Sequence, residues 1–87
     1  ADSTGVVLTG PVQAVSGTTI TAGGVAGKAI FFGGSTTFGV YFGSGAPTIA
    51  AEQGSWYIRS DGGSSLSRAY VQSSGSTNTW VGFLTTA

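Results

Sequence analysis

The chain has 87 residues, with 3 basic and 3 acidic side chains, a net charge of zero, and no His, Cys or Met. Without imidazole or thiol there is no thiolate nucleophile and no ordinary ligand set for zinc, haem or an iron–sulfur cluster, so neither a metal nor a cofactor is expected. Only 7% of the residues are charged, which leaves a phosphate backbone little to grip and argues against nucleic acid as a partner.

Gly, Ser and Thr together fill 40 of the 87 positions, a composition that could belong to a disordered chain. Disorder, however, goes with few aromatics and many like charges, and here aromatics reach 11% and the mean hydropathy is positive, so an ordered domain is expected. No apolar run is long enough to span a membrane and no signal-peptide pattern is present. The sequence therefore predicts a soluble piece with no membrane insertion. Val, Ile, Leu and Phe number only 20, a thin core for a small domain with neither disulfide nor zinc. Burial against copies of itself is the remaining source of stability, which predicts an obligate oligomer. The start at Ala1-Asp2-Ser3 without Met is read as a fragment of a longer polypeptide.

No window repeats apolar residues at helical spacing. Short β-branched and aromatic runs alternate with turn residues instead, which predicts an all-β chain. In chain order the expected strands are Val6 to Thr9, Val12 to Val15, Thr18 to Thr21, Lys28 to Phe32, Phe38 to Phe42, Ser55 to Arg59, Arg68 to Gln72 and Thr79 to Leu84. Ile30-Phe31-Phe32-Gly33-Gly34 is echoed by Val40-Tyr41-Phe42-Gly43-Ser44, and Gly43 to Pro47 reads as a connector between two halves. The later strands, with a turn at Asp61-Gly62-Gly63 where both glycines are free to take positive φ, form a C-terminal three-stranded antiparallel meander. Alternation puts Trp56 and Ile58 on one face, and Tyr57, Arg59, Arg68 and Tyr70 on the other. The second of these is expected to be the exposed one.

The run Gly39-Val40-Tyr41-Phe42-Gly43-Ser44-Gly45-Ala46-Pro47, then Gly54-Ser55-Trp56-Tyr57-Ile58-Arg59-Ser60-Asp61-Gly62-Gly63, then Arg68-Ala69-Tyr70-Val71 and the late Trp80, resembles a small module of tailed-bacteriophage tailspikes, tail fibres and related virion appendages. That module reads approximately YFGSGAP, GSLYLRTDG, RLYV and a late Trp, so Trp56 stands where Leu is usual and Ser60 where Thr is usual. The likeness covers about residues 38 to 84, and residues 1–37 form a Gly/Thr-rich β segment that resembles nothing specific. The resemblance implies a homotrimeric virion component, extracellular when assembled. The expected architecture is short antiparallel strands in a small sandwich or an intertwined β assembly, with 1–37 and 38–87 together making one small domain and the Phe and Val residues of positions 25 to 42 forming the central interface.

Asp2, Glu52 and Asp61 are the only side-chain carboxylates, and no Ser has a His or Lys partner to activate it, so no catalytic residues are expected. Asp61 reads as a turn acceptor and Glu52 as part of a polar connector. Arg59 and Arg68 face each other across the predicted hairpin and need a counter-charge, from Asp61 or Glu52 in the structural reading or from an anionic sugar in the functional one. Trp56, Tyr57, Arg59, Arg68 and Tyr70 are the candidate glycan-binding residues, since flat rings suit the apolar faces of sugars. Trp80 is assigned to the core. The function expected is a non-enzymatic tailspike or tail-fibre module that trimerises and caps the fibre, with host cell-surface polysaccharide as a second partner. A capsid decoration or head-fibre domain is the alternative, and a polysaccharide-cleaving domain comes third.

Overall fold

The computed structural model describes residues 9–77 and 79–83. Five short strands, β1 (Ala29–Phe31), β2 (Gly39–Gly43), β3 (Trp56–Arg59), β4 (Ala69–Gln72) and β5 (Trp80–Gly82), form one sheet in chain order, with no helix among the described residues. The fold is all-β. β3, β4 and β5 make the expected antiparallel meander, with Tyr57 opposite Tyr70 and Val71 opposite Val81. The segments echoed in the sequence are neighbours as well, since Ile30 pairs with Val40 in the antiparallel β1–β2 ladder.

Two expectations are corrected. The sheet is mixed rather than antiparallel throughout, because β2 and β3 run parallel with Tyr41 opposite Tyr57. Parallel neighbours need a crossover of about a dozen residues, and residues 44–55 provide it without any helix, laying Ile49 and Ala51 against the sheet. Val12 to Val15 and Thr18 to Thr21 are not strands, and Val6 to Leu8 lie outside the described residues. The chain turns at 15–18, where Thr18 N–H donates to Val15 O at 3.2 Å and Gly17 takes φ 86. Beyond that turn it meets the sheet at one parallel bridge, Ala22 to Ser44. Strand propensity without a partner ladder did not suffice.

Alternation then sorts the side chains into two unlike faces. Phe31, Tyr41, Tyr57, Tyr70, Gln72 and Trp80 point toward the crossover, where Tyr41 and Tyr57 are 1% and 0% exposed. Ile30, Val40, Trp56, Val71 and Val81 form a row on the opposite side, and Phe42, Ile58 and Ala69 form the next. None of the described residues covers them fully. Trp56 and Ile58 are 51% and 52% exposed.

Gly43 marks where the crossover leaves the sheet. A Cβ there would lie 2.5 Å from Tyr57 Oη, 2.6 Å from Thr21 O and 2.7 Å from Gly24 N, two of which are backbone atoms that cannot swing away. Gly43→Ala is therefore expected to destabilise by about 1–3 kcal/mol in urea melts, as overpacking does. Gly63→Ala, with no atom within 4 Å of the added methyl, should be neutral or slightly stabilising. Gly62 and Gly63 are not needed for positive φ, contrary to the expectation from sequence. Gly62 is needed because the carbonyl of Ser67 occupies the place of its Cβ.

Candidate functional site

The crossover face is an aromatic core with polar handles. Tyr57 meets Tyr70 edge-on at 5.9 Å between centroids, Trp80 lies 5.9 Å from Tyr57 and 6.3 Å from Tyr41, and Phe31 meets Tyr41 at 5.8 Å. Such pairs contribute about 0.5–1.5 kcal/mol each beyond the area they bury. Three of the polar tips also satisfy carbonyls of the loops laid over the rings. Tyr57 Oη donates to Ser44 O and Gly45 O at 3.2 and 3.1 Å, Tyr41 Oη to Thr37 O at 2.9 Å, and Trp80 Nε1 to Ile49 O at 2.8 Å. Loop backbone packed on a core must find donors somewhere, and these hydroxyls and the indole N–H supply them. Trp80 is a core residue, as the sequence suggested. Gln72, 1% exposed, closes the far end by donating to Ser76 O at 2.7 Å and accepting from Thr79 Oγ1.

Beside this core, Arg59 Nε donates to Asp61 Oδ1 at 2.7 Å and Arg59 Nη1 to Tyr70 Oη at 3.1 Å, while Gly45 N–H donates to the same carboxylate oxygen at 2.9 Å. The counter-charge expected for Arg59 is thus Asp61. The Arg59 guanidinium and the Gly45 N–H hold the Asp61 carboxyl below its ordinary value of 3.8. Arg68 stands immediately before the facing strand β4, with its carbonyl accepting the Arg59 N–H at 2.9 Å. Glu52 lies near Ser35 and Thr37 hydroxyls at 3.5 and 3.4 Å, at the opposite end of β2 from Asp61.

Burial raises the Tyr41 and Tyr57 hydroxyls above their ordinary value of 10.0, with Glu52 and Asp61 respectively adding to the rise. A raised folded-state value means that the unfolded chain loses its proton first as pH rises. The stabilisation is complete below pH 10 and is lost as pH climbs through the folded-state values. Melting temperature should accordingly fall steeply above pH 10, in step with tyrosinate absorbance, and Tyr57→Phe should flatten the fall.

The five candidate glycan-binding residues do not form one site. Tyr57 is inside the core, Tyr70 and Arg59 are half-buried and bonded to each other, and Arg68 stands beside them, so the face expected to be exposed is the covered one. Trp56 lies on the other side of the sheet, its ring 5.2 Å from Phe83 and edge-on to it. Alternation grouped Trp56 and Ile58 on one apolar face, and what reasoning from sequence missed is that this face is the exposed one. Its signal was present in the alternation Ile30, Val40, Phe42, Trp56, Ile58, Val71, Val81.

The exposed parts of Ile30, Phe32, Trp56, Ile58 and Val81 amount to on the order of 500 Å², near the upper end for the largest apolar patch on a monomer. Two clefts score this face. One of about 310 Å³ lies between the turn carrying Val15 and Ile20 and the sheet residues Ile30, Phe42 and Ile58. Another of about 260 Å³ is lined by Phe32, Phe38, Gly39, Val40, Gly54 and Trp56. Comparison of the chain with protein-family models, with curated proteins and with solved structures finds no match.

Proposed function

We propose that the protein is a non-enzymatic structural module of a bacteriophage tailspike or tail fibre, in which copies of the chain close on one another as a homotrimer at the virion surface. The observation that carries this reading is the apolar sheet face left uncovered by the described residues. Water-exposed apolar surface of that extent is relieved by association, and it supplies most of the roughly 800 Å² per partner that a stable interface buries. The order and spacing of Gly39 to Pro47, Gly54 to Gly63 and Arg68 to Val71 support the choice of appendage. A capsid decoration or head-fibre domain would use the same face.

Chemistry on a substrate finds little support. Glu52 and Asp61 flank the two ends of β2, whose residues span about 13 Å, whereas glycosidase carboxylates stand about 5–9.5 Å apart. Host polysaccharide is a second proposed partner. Light scattering at micromolar concentration tests the main reading. A mass three times that of the chain is expected, and a stable monomer would overturn it.

A further inference from the structure

Resting on that assembly reading, we infer that copies of the chain engage by a knob and a cleft, the Trp56 indole of one copy entering the 310 Å³ cleft between Val15, Ile20 and Ile58 of the next. The occupant is a second copy of this chain. Both features lie on one face but at different places. Trp56 is two residues along β3 from Ile58, in the row of Ile30 and Val40, and it does not line the cleft of its own chain. The indole is set for insertion. It is half exposed and rests edge-on against Phe83 at 5.2 Å, so little side-chain freedom is left to lose on binding.

The cleft suits an apolar ring. Ile30, Phe42 and Ile58 floor it, Val15 and Ile20 wall it, and the one charged side chain at its margin, Arg59, is already bonded to Asp61 and Tyr70. Its volume is at the small end of pockets that accept a compact ligand, the scale of one bicyclic side chain. The wall itself is strained, because Val15 holds φ 56, a left-handed conformation that β-branched residues avoid. Strain kept at a cleft wall is typical of a position held for binding. Zero net charge lets identical faces meet without repulsion. A knob and a cleft at separate places on one surface let every copy donate to one neighbour and receive from another, a head-to-tail contact that makes a ring where its rotation closes.

The chain has no cysteine, so introduced thiols report without background. The full chain carrying Trp56→Cys and Ile20→Cys together should, on mild oxidation, give covalent species ending at the trimer, while neither single variant cross-links. Trp56→Ala should weaken association about thirtyfold, the effect of losing a central anchor, with Leu66→Ala unchanged. A double variant whose linking stops at two chains supports the knob and cleft but overturns the trimer. A native trimer in which Trp56→Cys alone links to its own counterpart, with no link to Ile20→Cys, overturns the inference and leaves the assembly reading standing. A monomer that takes up anilinonaphthalene sulfonate, with the uptake lost in Ile20→Asp, overturns both and assigns the cleft to a small apolar molecule.

Discussion

Tyr57→Ala is expected to leave the chain largely unfolded at ambient temperature. The ring is fully buried, touches Tyr70 and Trp80, and is approached closely by Gly24 and Gly43, whose missing side chains make room for it. Deleting a large buried ring costs about 3–5 kcal/mol, and small domains have only about 5–15 kcal/mol in total, this one with a thin core. The hydroxyl adds to the loss, since Ser44 O and Gly45 O would keep no side-chain donor from this position. Tyr57→Phe isolates that part, with an expected cost of about 1–3 kcal/mol. Denaturant titration followed by far-ultraviolet circular dichroism reads both, and an alanine variant melting within a few degrees of wild type would show that the core lies elsewhere.

Ile58→Asp should have the opposite signature, an intact fold and a lost assembly. In a single chain the side chain is half exposed, so an aspartate there stays hydrated and the tertiary structure changes little. Packed against a neighbour it would be an unpaired buried charge, which costs several kcal/mol and is enough to shift the protein to monomer at micromolar concentration. Light scattering together with an unchanged circular dichroism spectrum is the expected pair of results. An Ile58→Asp oligomer of wild-type mass would place the interface away from this face.

The meander was legible because it depends on local signals, namely period-two alternation in Trp56 to Arg59 and Ala69 to Gln72 and turn residues between them. The parallel step was not legible. Crossovers are recognised by their helices, and residues 44–55 contain none. The inversion of the faces has a similar cause. Alternation says which residues share a side but not which side the rest of the chain covers, and here coverage is decided by loop carbonyls that need the hydroxyls of Tyr41 and Tyr57 as donors. Arg59 with Asp61 was readable from a separation of two residues, whereas the bond from Arg59 to Tyr70 depends on the register of β3 against β4.

The outermost strands, β1 and β5, have three residues each, and Lys28 stands immediately before the first. A long bare margin would recruit further chains edge to edge without limit, as amyloid does, whereas margins this brief offer too few backbone groups to template another strand, and a lysine beside them discourages the attempt. Among the described residues, the exposed large apolar side chains lie mostly on the broad side of the sheet. In the proposed assembly, growth through broad sides would use up apolar surface as copies join, and margins this brief would keep it from running on into fibrils.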